Sequence, residues 1–183
     1  RLLAKSLEEN KPPVYLIDHL NDALSIAQEL VSKLRSHIPS ELCQSILLGT
    51  ALHDIGKVDN AIQDFFQDAS HGNCHKRKHV PKSHALTGLP IIRQLLYETL
   101  TEPYLSLTML AVASHHTPLH SDLYLNLNPT LEINKDDRAE IGEIFNHFGK
   151  TFRQRGVRLS ELDWNSLPTP KNCYVQAKET GIT

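Results

Sequence analysis

From Asp18 onward the apolar residues Leu20, Ala23, Leu24, Ala27, Leu30, Val31 and Leu34 recur at intervals of three and four, the repeat of one face of an amphipathic helix. Pro39 and Ser40 interrupt the pattern, and Ser40 is suited to cap a second helix carrying Leu42, Cys43, Ile46, Leu47 and Ala51. That helix is expected to stop near Gly56, in a left-handed turn. A short helix over residues 61–66 follows, and residues 68–82 read as a loop. Ser83 can cap a further helix reaching Leu100, inside which Pro90 predicts a kink or an early break. Pro103 suits the first turn of a helix ending at Ser114, before Thr117 and Pro118 stop it. Beyond it, Leu123, Leu125 and Leu127 alternate as in a short strand. Residues 136–148 look helical, and the tail after Ser160, with Pro168 and Pro170, is expected to be extended. The pattern predicts an all-α domain, with at most a minor β-hairpin in its C-terminal part.

Composition narrows the class. A chain of 183 residues with 40 % apolar residues suits one compact domain with a real core, so residues 1–183 are expected to form a single unit. A charged fraction of 22 %, with 8 Gly and 10 Pro, argues against disorder or a fibrous repeat. The formal charge of −2 excludes a surface that attracts nucleic acid everywhere. The distribution is uneven, however: Lys76, Arg77, Lys78, Lys82 and Arg93 against Glu98 and Glu102 leave residues 71–120 with an excess of +3. Three cysteines, odd in number and widely separated, argue against a disulfide framework and predict a reducing, cytoplasmic setting. No apolar run approaches the ~20 residues of a spanning helix, and no signal-peptide pattern opens the chain, so no membrane partner is expected. The first residue is not Met, which predicts a fragment or a trimmed chain. The 11 histidines outnumber Gly and Pro and point to metal chemistry.

Their positions agree with that reading. His19 lies near the start of the first helix, the pair His53 and Asp54 at the end of the second, His84 after Ser83, and the pair His115 and His116 at the end of a later helix. Side chains at helix ends can point into a cleft instead of a packed core. Neighbouring helical residues diverge by about 100°, so an ion lying between the two directions can take both His53 and Asp54. Imidazoles with a carboxylate suit manganese, iron, cobalt, nickel or zinc better than magnesium. Five histidines and one aspartate exceed the needs of one tetrahedral ion. Two ions bridged by Asp54, roughly 3.5–4 Å apart, would use them all. In the unit HDIGK, Lys57 brings a cation to where a phosphate would sit. A single histidine on a helix is more often a surface or hydrogen-bonded residue than a ligand; the weight rests on the set.

The strings HDIGKVDNAIQDFFQ (53–67), LIDHLNDALSIAQEL (16–30), SHALTG (83–88) and ASHH (113–116) resemble the HD superfamily of metal-dependent phosphohydrolases. More narrowly, Phe66 and Gln67 after the GK, the isolated His84 and the paired His115 and His116 resemble the HD nuclease domain that accompanies the helicase in type I CRISPR interference. The resemblance covers residues 14–120, leaving 121–183 as a C-terminal extension. It implies one metal on His19, His53 and Asp54, a second on Asp54, His84, His115 and His116, and a phosphate-positioning role for Lys57. The implied activity is transition-metal-dependent hydrolysis of single-stranded DNA, beside a helicase and an RNA-guided complex. The family carries a further Asp on a later helix. Asp122, Asp136, Asp137 and Asp163 lie downstream, none in a convincing apolar helix: either the chain stops short of that ligand, which is the expectation, or Asp122 or a tail residue substitutes, or the first site is weak.

Secondary signals are weaker. The basic run Lys76, Arg77 and Lys78 can steer a phosphate backbone, or can be a solvated loop. His71, Cys74, His75 and His79 do not have the spacing of a zinc finger. Phe65 and Phe66 can stack bases, but helical spacing favours core packing. Two other classes stay open: an HD-type nucleotide or small-phosphoester hydrolase, and a docking module with a vestigial metal site.

Overall fold

Wherever the three- and four-residue apolar spacing is regular, the chain is helical in the computed structural model, which describes residues 1–6, 11–70, 84–116, 129–154 and 156–181. In order these are α1 (Leu16–Leu34), α2 (Ser40–Leu52), α3 (Asn60–Ser70), α4 (His84–Thr87), α5 (Leu89–Leu96) and α6 (Tyr104–Ser114). Then come α7 (Asp137–Arg153) and α8 (Pro170–Gly181), and one turn of 3-10 helix, Ile55–Val58, joins α2 to α3. Among the described residues there is no strand, only an antiparallel bridge between Leu3 and Tyr15. The fold is all-α, as the spacing predicts. No described helix is long and apolar enough to cross a membrane.

The helix α6 buries Leu105, Met109, Leu110, Val112 and Ala113 together with Ser106 and Thr108. A helix apolar on most of its circumference belongs inside, and α6 packs on both α2 and α8, while α1 covers α2. The hydroxyls of Ser45 and Thr108 meet at 2.5 Å between α2 and α6, one donating to the other, and both lie within hydrogen-bond distance of the Tyr104 carbonyl, at 3.0 and 2.8 Å. In α7, Ile141, Ile144, Phe148 and Phe152 form the buried stripe that closes the main core. Phe66 packs with Leu3 and Ile62 in a smaller cluster, against which Phe65 is partly buried, so both phenylalanines serve packing.

Four local expectations need correction. α2 ends at Leu52, and the only described glycine at positive φ is Gly156, so Gly56 is no left-handed stop. Ser40 is the first helical residue and donates to Glu41 Oε2 instead of capping. On α1 the buried residues are Leu16, Leu20, Leu24, Ala27 and Val31; Leu30 and Leu34 face solvent, because α2 covers a narrower face than the apolar stripe offers. The tail is not extended throughout: Pro170 opens α8, where a missing N–H costs nothing, and Thr169 Oγ1 accepts the Asn172 N–H at 3.2 Å. Pro90 does produce the expected break, sitting in the first turn of α5 after Gly88 separates it from α4. The strand expected at Leu123, Leu125 and Leu127, the histidines and cysteine of residues 71–79, and Lys76, Arg77 and Lys78 lie outside the described residues.

Candidate metal centre

Two helix ends, of α2 and α6, and two helix starts, of α1 and α4, meet around Asp54. His53 is the C-cap of α2 and His115 the C-cap of α6, so both rings sit where the last carbonyls of a helix lack intrahelical partners. Each ring uses one of those carbonyls. His53 Nδ1 donates to the Thr50 carbonyl at 2.8 Å, and His115 Nδ1 donates to the Val112 carbonyl at 2.6 Å, the same three-residue step back in both helices. A carbonyl only accepts, so Nδ1 carries the hydrogen and Nε2 points outward with its lone pair. Thr50 and Val112 were not legible as orienting groups, because any residue supplies a carbonyl.

Asp54 follows with φ −106° and ψ 12°, the sparsely populated bridge region between helix and strand, and is 3 % exposed. Its two oxygens have different neighbours. Oδ2 faces His19 Nε2 at 2.9 Å, His53 Nε2 at 3.3 Å and Lys57 Nζ at 2.6 Å. Oδ1 faces His84 Nε2 at 3.1 Å and His115 Nε2 at 3.3 Å. His116 completes the Oδ1 side, with its ring centroid 3.9 Å from that of His115 and 4.8 Å from that of His84. Burial alone would raise the Asp54 pKa. Contacts from His115, His53, His84 and Lys57 overturn that and hold the carboxyl far below the usual carboxylate range. Burial likewise lowers His19 and His116, whereas the contact with Asp54 outweighs burial at His53 and raises it.

His84 reaches this place because two backbones touch. A Cβ on Gly56 would lie 1.8 Å from the His84 carbonyl oxygen and 2.7 Å from the Gly88 nitrogen, so only glycine lets the 3-10 turn meet α4. Thr87 Oγ1 lies 3.3 Å from the Gly56 carbonyl and 3.2 Å from that of His84, bracing the same junction. Gln63 steadies the other side of the turn, donating from Nε2 to the Lys57 carbonyl at 2.7 Å while its Oε1 accepts the Leu3 N–H. Gly56, Gly88 and Gln63 all stand in the quoted motifs, yet no spacing rule marks them as supports.

The donors form two groups, Asp54 with His84, His115 and His116, and His19 with His53 and Asp54; within each, the ligand atoms lie within 4.8 Å of one another. The residues fit divalent cations. In a neutral His53 or His115 the Nε2 lone pair faces an anionic oxygen, an arrangement that only a proton or a cation between them relieves. His84 Nε2 is buried and makes no hydrogen bond despite standing 3.1 Å from Oδ1, a polar atom left for another partner. Nitrogen and oxygen donors in this ratio suit transition ions. Every histidine singled out in the sequence for metal binding therefore lies at the centre. Asp136, Asp137 and Asp163 do not; no further described carboxylate joins the His19 group, and Asp122 is outside the described residues.

An all-α domain that gathers five imidazoles on one buried aspartate through an HD pair at a helix end is an HD domain, a metal-dependent hydrolase by class. The chain belongs to the family described as "Cas3, HD domain", whose model matches residues 3–177. That membership supports an HD-type metal-dependent nuclease role in type I CRISPR interference. No curated protein and no solved structure matches the chain significantly.

Proposed function

We propose that residues 1–183 act as a single HD nuclease domain. It cleaves the displaced single DNA strand in CRISPR interference, in the cytoplasm, together with a helicase and an RNA-guided complex. The observation that carries this reading is the convergence of His19, His53, His84, His115, His116 and Lys57 on Asp54. When bound, two divalent transition ions supply Lewis acidity toward the phosphodiester and a water nucleophilic at neutral pH. Asp54 offers one oxygen to each side. His53 and His115 are held in the tautomer that presents Nε2 by the carbonyls of Thr50 and Val112. Lys57, 14 % exposed, keeps an ammonium beside the site and offsets negative charge developing on the phosphate. Lys76, Arg77 and Lys78 hold flanking phosphates without reading sequence, a contribution that falls steeply with salt.

The test is cleavage of circular single-stranded DNA with manganese, nickel, cobalt, iron, zinc or magnesium, with and without chelator. Metal-dependent nicking is expected, and Asp54→Ala should lower it on the order of 10³-fold or more while the protein stays folded. Wild-type rates in that variant would overturn the reading. A metal-loaded protein that ignores DNA but hydrolyses nucleotides is the phosphohydrolase alternative, and one that binds no metal is a docking module.

A further inference from the structure

Beside the metal centre, between α1, α2 and α6, lies a cavity of about 600 Å³. Its wall includes His53 and His115, one ring from each ligand group, so it adjoins the centre along those two rings. Small residues on the three facing helices keep it empty: Ala23 on α1, Gly49 on α2 and Ala111 on α6. The remaining walls are mostly aliphatic, including Leu42, Ile46 and Leu107, the last 39 % exposed. The size lies within the ~300–1,000 Å³ of small-molecule pockets, and aliphatic walls with few polar groups are their usual lining.

We propose that this cavity receives the nucleobase of the nucleotide flanking the scissile phosphate. The proposal rests on the nuclease reading above and says what the site recognises. A phosphodiester held at Asp54 carries its neighbouring base within reach of His53 and His115, and the cavity is the apolar space there. Apart from those imidazoles, no charged or amide side chain lines it; the hydroxyls of Ser45 and Thr108 are engaged with each other and with the Tyr104 carbonyl, and the Thr50 hydroxyl on the wall can donate to or accept from any base. The cavity therefore distinguishes a base from no base, without choosing among bases. A base can enter only after leaving its stack and its pair, so the same feature selects single strands over duplex.

Ala111 is exposed on α6, so Ala111→Trp fills the cavity without opening the core. The experiment compares kcat/KM on an oligothymidylate with that on a strand of abasic tetrahydrofuran residues of equal length, using metal-loaded protein. Wild type is expected to prefer the thymidylate at least tenfold. Ala111→Trp should lose that preference, with abasic cleavage and metal content unchanged; Leu107→Trp is a second variant, should the first not fold. Equal cutting of both strands by wild type, or an unchanged ratio in a folded variant, overturns the proposal and leaves the cavity to a protein partner. Failure to cut either strand overturns the nuclease reading and this proposal with it.

Discussion

The two oxygens of Asp54 look onto unequal surroundings. On the Oδ1 side, His84 and His115 are 13 % and 18 % exposed, and His116 joins them to give a four-residue group. On the Oδ2 side, His19 is 37 % exposed, only His53 accompanies it, and Lys57 lies on the same oxygen at 2.6 Å. A cation tethered there competes with a divalent ion for the negative charge of Oδ2. The comparison teaches that a shared aspartate need not make equal sites. Donor number and the burial of His84 and His115 favour tight holding on one side, while openness at His19 and a resident ammonium weaken the other.

The strongest attack on that asymmetry is Gly56→Ala. The new Cβ would collide with the His84 carbonyl at 1.8 Å, and overpacking of this kind costs about 1–3 kcal/mol or more when backbone must move. The expected result is a lower melting temperature with loss of the Oδ1-side ion; wild-type titration and melting would show that the junction is not what seats His84. Next come the paired variants His84→Ala and His19→Ala, followed by calorimetric metal titration. His84→Ala should weaken the tighter ion by on the order of 10²-fold and His19→Ala the weaker one by about tenfold, measured against the ~10–100-fold typical of outer-shell partners. Equal losses would make the two sides equivalent. A smaller change is expected from Lys57→Met: the weaker ion should bind several-fold more tightly, on the scale of the ~1 kcal/mol of a part-exposed ion pair, while DNA cleavage falls. Unchanged affinity would remove Lys57 as a competitor.

The smallest effect lies away from the centre and serves as its control. Burial in α8 pushes the Cys173 thiol up to about 11 from an ordinary 9.0. The folded state then keeps its proton where the unfolded state loses it, so stability is full below pH 9.0 and falls as pH rises toward about 11. Melting between pH 8 and 10 should show this slope with or without metal, and Cys173→Ala should flatten it; a slope abolished by chelator would assign it to the centre instead.

Much of this molecule is legible without coordinates because much of it is local. Regular apolar spacing specifies α1 and α2 to within a few residues, Pro103 with Thr117 and Pro118 brackets α6, and Pro90 marks the break between α4 and α5. The site's donors are legible because imidazoles gathered at helix ends serve few purposes other than ligation. The errors share a cause. Pro168 and Pro170 read as an extended tail, since the apolar side of α8 gains its meaning only when laid against α6. Leu30 and Leu34 read as core, since periodicity reports a stripe and not how much of it a neighbour covers.

The sequence by itself determined that the protein is helical, and it marked His19, His53, Asp54, His84, His115 and His116 as candidate metal donors with Lys57 beside them. Short-range spacing and donor chemistry carry that information. Only the tertiary structure decided which oxygen of Asp54 each ring faces, why residue 56 must be glycine, and that an apolar cavity adjoins the histidine cluster. Those are contacts between residues tens of positions apart, such as Gly56 with His84 and His53 with His115, and they exist only once the helices have packed.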